Sequence, residues 1–205
     1  MKTALQALLE ARISANHFDA SHGMERGEVE RLIQLATLAP SAYHMQNWRF
    51  IAVQSAEAKA RLLPLAFGQR KVAEAAVTFI CCGVLGGHRD LPQRLQPAVD
   101  AGVMPGSISD AWIRAAASGH EGKPQTQRDE AVRSVSLAAM SLMLAAQEQG
   151  LASCPMGGFD AAGVARAFGL PENEIPVLLL PVGRAAEGNW AQKPRRPVAE
   201  VLELV

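Results

Sequence analysis

A chain of 205 residues with 49% hydrophobic and 20% charged side chains is long enough to bury a sizeable core and too apolar for intrinsic disorder. Lys and Arg together number 20, as do Asp and Glu, so there is no concentrated basic surface, and neither nucleic acid nor a membrane is expected as a partner. The three cysteines, Cys81, Cys82 and Cys154, form no spaced framework and lie in apolar sequence, the pattern of buried free thiols in a reducing compartment. Met1 to Arg12 carries Lys2, Glu10 and Arg12 and has no long apolar run ending in a small-residue cleavage site, so no signal peptide is read and a cytoplasmic location is expected.

The predicted elements alternate between helix and strand. Lys2–Arg12 places Leu5, Leu8 and Leu9 at helical spacing, and after a polar segment Glu28–Leu38 repeats that pattern with Val29, Leu32, Ile33, Leu35 and Ala36. Arg49–Gln54 is rich in strand formers, Ala56–Ala66 returns to helix, and Ala76–Val84 is a continuous apolar run expected to be buried on both faces of a sheet. The Gly83–Gly87 segment lacks the G-x-G-x-x-G order of a dinucleotide loop. From His88 to Lys123 the sequence reads as irregular, broken at Pro92, Pro97 and Pro105, with a helix over Ser107–Ala117; inserted between core elements, it is expected to form a lid over a substrate pocket.

Gln127–Gln149 is the longest predicted helix, with Asp129 and Glu130 in its first turns and Gly150 as its stop. Its uncharged stretch, Ser134–Gln147, falls short of the roughly 20 residues a membrane span requires. The middle is apolar nearly all round and needs cover on both sides, which in a chain of this size predicts a homodimer with this helix near its centre. Leu151–Gly158 is read as a short strand entering a glycine turn, Asp160–Phe168 as a capped helix and Val177–Val182 as a buried strand. The extension from Gly183 is basic, is broken at Pro194 and Pro197, and ends in the apolar Val198, Val201, Leu202, Leu204 and Val205.

Chemistry is limited by which parts are present. Nucleophilic hydrolysis needs a Ser or Cys beside a base on a strained turn, and the five histidines (His17, His22, His44, His88, His120) are scattered with no G-x-S-x-G segment. Zinc needs clustered ligands, whereas adjacent Cys81 and Cys82 on one strand point to opposite faces. A redox cofactor asks less of side chains, because the cofactor carries the reaction and the protein holds and tunes it. Between the second helix and the first strand, Pro40 ends the helix, and Ser41 and Gln46 offer hydrogen bonds to a planar polar ligand.

The run from Ala39 to Phe50, A-P-S-x-x-x-x-Q-x-W-R-F, resembles the signature loop of the FMN-dependent nitroreductase family. Four further segments share the resemblance in the same order. Arg12 and Ser14 in A-R-I-S-A-N-H-F are similar to the opening R-R-S-x-R-x-F, whose basic and hydroxyl groups hold the flavin phosphate, with Ile13 and Asn16 where bases are usual. Gly68–Ala75 resembles the segment beside the pyrimidine edge of the ring, which puts Gln69 within reach of it and Lys71 near N1 and O2. Cys154–Asp160 is similar to a P-x-x-G-F turn, which places Pro155, Met156, Gly157 and Gly158 against the ring, with Gly157 where one branch has Glu. Lys193 and Arg195 in Q-K-P-R-R-P-V resemble a closing K-x-R-x-P that reaches the same phosphate.

The resemblance implies an α+β fold, with a central mostly antiparallel sheet flanked by helices in an intertwined homodimer. One nitroreductase-like domain would span 1–205, with 88–123 as lid and 183–205 as extension. Pro40, Ser41, Ala42 and His44 would meet the flavin across the dimer interface, Asn16 would join the cofactor site, and His44 and Asn47 replace the usual Asn and Pro. The implied activity is FMN-dependent transfer of hydride from NADH or NADPH, by a ping-pong mechanism, to nitroaromatic, quinone or activated-alkene acceptors. No side chain is assigned an obligatory acid or base role. The alternatives are an offshoot with dehydrogenase or oxidase activity and a flavin-binding protein without turnover.

Overall fold

The computed structural model describes residues 2–205; Met1, the first residue of the stretch read for a leader, lies outside the described residues. Four strands form one antiparallel sheet in the order β1-β2-β4-β3: β1 (Trp48–Val53), β2 (Val77–Val84), β3 (Ala152–Ser153) and β4 (Glu174–Gly183). Among the described residues eight α-helices flank it: α1 (Ala4–Ala11), α2 (Arg26–Ala36), α3 (Ala56–Leu65), α4 (Lys71–Glu74), α5 (Leu91–Asp100), α6 (Gly106–His120), α7 (Pro124–Glu148) and α8 (Ala161–Ala167). This is the expected α+β class. None of these helices is long and apolar enough to cross a membrane.

β2 is buried from Val77 to Gly83, as its unbroken apolar sequence requires. Its side chains divide with period two. Phe79 and Cys81 pack with Leu32 of α2 and with Val135, Ala139 and Leu142 of α7, while Ile80 and Cys82 face Leu62 of α3 and Val164 of α8. The adjacent cysteines therefore lie on opposite faces, as predicted. β4 begins earlier than Val177 because Ile175 and Pro176 still pair with β2; where Pro176 supplies no N–H, the register shifts between Cys81 and Cys82.

Three expectations are corrected. The segment 88–123 is not irregular: α5 continues through both Pro92 and Pro97, because Pro92 occupies the first turn, where N–H groups have no helical partner, and because the sealing of Leu91 and Leu95 against Met45 offsets the one helical hydrogen bond lost at Pro97. The strand read over Leu151–Gly158 shrinks to Ala152–Ser153, since Pro155 cannot donate to β4; beyond it, Cys154 N–H donates to Pro181 O of β4 at 3.1 Å and Met156 forms an isolated bridge with Leu179. α7 starts at Pro124 rather than Gln127, which leaves its first turn without an acidic residue.

At 25 residues, α7 is about 37 Å long. It buries Val135, Ala139, Leu142 and Ala146 against the sheet and α2, while Leu137 stays 43% exposed and Met140 and Leu144 are half-buried. Val198, Val201, Leu202, Leu204 and Val205 are also exposed.

Candidate functional site

The first segment of the site is positioned by β3. Ser14 forms a parallel bridge with Ser153, and Ala15 N–H donates to Ser153 O at 3.0 Å, so residues 12–16 run along the sheet edge. The C-terminal extension folds back over them. Asn189 Oδ1 accepts from the backbone N–H of Asn16 (2.7 Å) and His17 (3.1 Å), and Gln192 Nε2 donates to the carbonyls of Leu9 and Arg12, each at 2.9 Å. Arg12, Ser14, Lys193 and Arg195 thereby line one pocket of ≈120 Å³, together with Ile13, Trp190, Ala191 and Gln192. Arg12 Nη1 is buried with no hydrogen-bond partner among the described residues. Three cations, a hydroxyl and an orphaned buried donor in a volume this small suit a phosphate-sized anion.

A second cavity, of ≈440 Å³, is lined by Asn16, His17, Gln69, Arg70, Lys71 and Glu74. Lys71 Nζ donates to Asn16 Oδ1 (3.0 Å) and to Cys154 Sγ (3.5 Å). Gln69 Nε2 donates to Gly158 O (2.9 Å) and Ala66 O (3.1 Å), tying the start of α4 to the glycine turn. In that turn Pro155, Gly157 and Gly158 are exposed, and a Cβ at Gly157 would meet nothing within 4 Å, which leaves bare backbone open to a flat ligand. Met156 is 5% exposed and belongs to the core, and its N–H and C=O pair with Leu179 of β4 at 2.8 and 3.0 Å.

Pro40, Ser41 and His44 do not join these residues within one chain. They line a separate apolar groove of ≈570 Å³ with Tyr43 and the α5 and α6 side chains Leu95, Ala98, Ile108 and Trp112; Ala42 packs beside it against the Met45 cluster. The loop is strained, with Tyr43 at φ 52°, His44 at 62° and Gln46 at 45°, a region that side chains other than glycine rarely enter. Its polar groups hold it there. Ser41 Oγ accepts from Gln46 N–H at 2.8 Å and the Gln46 amide pairs with His44 Nε2 at 2.9 Å, so Ser41 and Gln46, read as ligand contacts, spend part of their capacity inside the loop.

The sequence reading missed Trp190 and Asn189, which shape the phosphate-sized pocket, and Trp112, whose ring meets Tyr43 edge-on at 6.1 Å. The G-N-W run before Lys193 was the available signal for the first two. The remaining thiols take no part: burial pushes Cys81 up, and it pushes Cys82 to about 12. Among the described residues no group of three or more His, Cys, Asp or Glu side chains could hold a metal ion.

Fold and site together define an α+β protein with an anion pocket and an adjoining cation-bearing cavity. The sequence model of the nitroreductase family matches residues 9–184, and the chain belongs to that family of oxidoreductases. It is 31% identical over 194 residues to YodC of Bacillus subtilis (strain 168), which carries the name of an NAD(P)H nitroreductase, with 95% of each chain covered. YdgI of the same organism, named likewise, is 32% identical over 199 residues, covering 96% of this chain and 95% of its own. Among solved structures, a nitroreductase-named protein from Exiguobacterium sibiricum 255-15 in complex with FMN superposes with a TM-score of 0.91 at 29% identity, covering 100% of this chain and 99% of its own. One named as an NAD(P)H:FMN oxidoreductase, from Staphylococcus epidermidis ATCC 12228, gives 0.92 at 28% identity, with 100% and 97% covered.

Proposed function

We propose that this chain is an FMN-dependent NAD(P)H oxidoreductase that works as a homodimer on planar, electron-poor acceptors. The observation that carries the reading is the buried, unpartnered Nη1 of Arg12 in a pocket shared with Ser14, Lys193 and Arg195, a donor set suited to the phosphate of FMN. Asn16, Gln69 and Lys71 would hold the polar linker and ring edge, and the turn of Pro155, Gly157 and Gly158, anchored to β4 through Met156, would lie against the ring. When bound, FMN supplies hydride transfer from NADH or NADPH and, in alternation, to nitroaromatic, quinone or activated-alkene acceptors. A flavin binder without turnover would fit bases lost at Ile13 and Asn16, but Lys193 and Arg195 restore the positive charge.

Dimerisation completes the site in this reading. The Pro40–His44 groove lies apart from the phosphate pocket in its own chain and would be presented to the partner's flavin, with α5 and α6 as lid and apolar wall. Support for a second copy comes from three features unpartnered among the described residues: the Leu137 stripe of α7, the edge of β1 that has no neighbouring strand, and the exposed apolar tail. The three free thiols suit a reducing cytoplasm, and residues 1–205 are read as one domain with the 88–123 lid and 183–205 extension.

The test is the visible spectrum of the purified protein, followed by anaerobic NADPH and then NADH. Flavin bands that bleach with either donor and return on adding menadione support the proposal. A colourless protein that stays colourless with added FMN overturns it.

A further inference from the structure

We infer that Asn16 and Cys154 are positioning residues for Lys71: together they hold its ammonium at the ≈440 Å³ cavity and so set the reduction potential of the flavin, an inference that rests on the FMN reading above. Lysine is long and strongly hydrated, and a lysine at the first position of a one-turn helix would ordinarily extend into water. Here Nζ is instead caught by Asn16 Oδ1 at 3.0 Å and Cys154 Sγ at 3.5 Å, contributed by segments far away in sequence. Both anchors are themselves fixed. Asn16 N–H donates to Asn189 Oδ1 at 2.7 Å, and Cys154, 5% exposed, donates its N–H to Pro181 O of β4 at 3.1 Å.

The chemistry of the anchors decides what the ammonium does. Neither anchor is a carboxylate, so they orient Lys71 without forming an ion pair with it. The carboxylate lining the same cavity, Glu74, is occupied by Arg70 at 2.9 Å, and Lys71 makes no ion pair among the described residues. An ammonium has three donors, and two are used, which leaves one N–H and a full positive charge for a ligand in the cavity. A fixed cation at the flavin edge favours the reduced form, which carries the additional negative charge, in a way that a solvated and mobile one does not.

The experiment is the two-electron midpoint potential of FMN-reconstituted wild type, Asn16→Ala, Cys154→Ala, Cys154→Ser, Lys71→Met and the double variant Lys71→Met/Asn16→Ala, by equilibration with reference dyes, alongside each FMN dissociation constant. Asn16→Ala and Cys154→Ala should each shift the equilibrium about tenfold toward oxidised flavin, about 30 mV more negative for a two-electron couple. Cys154→Ser, which keeps an acceptor, should stay near wild type, and Asn16→Ala should add nothing in the Lys71→Met background. Bound flavin with unshifted potentials in both alanine variants, or an equal Asn16→Ala shift with and without Lys71, would overturn the inference alone. Wild type that binds no FMN would overturn the reading beneath it, and the inference with it.

Discussion

Replacing Arg12 with Ala separates a phosphate-binding role from a structural one. Nη1 of Arg12 is buried and unpaired among the described residues, so its removal breaks no internal hydrogen bond by that atom and vacates the one buried cationic donor in the ≈120 Å³ pocket. A charged hydrogen bond to phosphate is worth about 1.5–3 kcal/mol, roughly a 10- to 150-fold loss of affinity. Lys193 and Arg195 are exposed, and solvent should hold each of their contributions to about 1 kcal/mol or less. The assay is fluorescence titration of apoprotein with FMN and, in parallel, with riboflavin, which has the same ring and linker and no phosphate. FMN affinity should fall by the stated factor and riboflavin affinity should hold, while the urea midpoint of the apoprotein stays level or rises. Equal losses for the two flavins, or none for FMN, would remove Arg12 from the phosphate site.

Three other outcomes follow from particular contacts. Leu137→Glu puts a charge on the exposed apolar stripe of α7 and should weaken self-association about a hundredfold, on the order of 3 kcal/mol for an unpaired charge in an apolar contact; unchanged light-scattering mass across a dilution series would refute this. Hydrogen bonds from Arg89 and His88 hold the Glu121 carboxyl at about 2, below its ordinary 4.5. Because the folded value is the lower one, its stabilisation is complete above about pH 4.5 and fades as pH falls toward 2; Glu121→Gln should flatten that part of the urea midpoint against pH, and parallel curves would count against it. A Cβ at Gly183 would lie 2.8 Å from the backbone N of Ala76, so Gly183→Ala should destabilise by about 1–3 kcal/mol, and an unmoved urea midpoint would disprove it.

Long, strongly patterned elements were legible in the sequence. β2 could be read from its unbroken apolar run and the middle of α7 from its nearly all-round apolarity, since burial on both faces leaves no other composition for those positions. α5 was hidden because proline is a local signal and the burial of Leu91 and Leu95 against Met45 is a tertiary one, which prevails here even though Pro97, inside the helix, forfeits one helical hydrogen bond. The phosphate-sized pocket was half legible: Arg12, Ser14, Lys193 and Arg195 were named from motifs, whereas Asn189 had only the short G-N-W run to mark it, and the Gln192 carboxamide that also fastens the extension to residues 9–12 carries no pattern of its own. Strain at Tyr43, His44 and Gln46 was equally invisible, because none of these residues is the glycine that a positive φ normally announces.

The extension that supplies Lys193 and Arg195 continues without a break into the exposed apolar tail at 198–205. In the proposed dimer, one segment therefore does two jobs. Docking the tail on a partner would restrict the path of residues 193–195 and preform the phosphate pocket, and phosphate bound at 193–195 would reduce the entropy lost when the tail docks. Linkage then requires that each event strengthen the other by the same factor. Apparent FMN affinity should increase as protein concentration is raised through the range of self-association, and FMN should lower the dimer dissociation constant by the same ratio. Removal of residues 198–205 should weaken both dependences by one common factor, leaving the share that the partner's Pro40–His44 groove contributes and keeping Arg12 and its pocket residues in the chain. Titrations by flavin fluorescence at several protein concentrations, set against sedimentation equilibrium with and without FMN, measure the two ratios independently. Two ratios left unchanged by removing residues 198–205 would show that the tail and the phosphate pocket act separately, despite being consecutive in the chain.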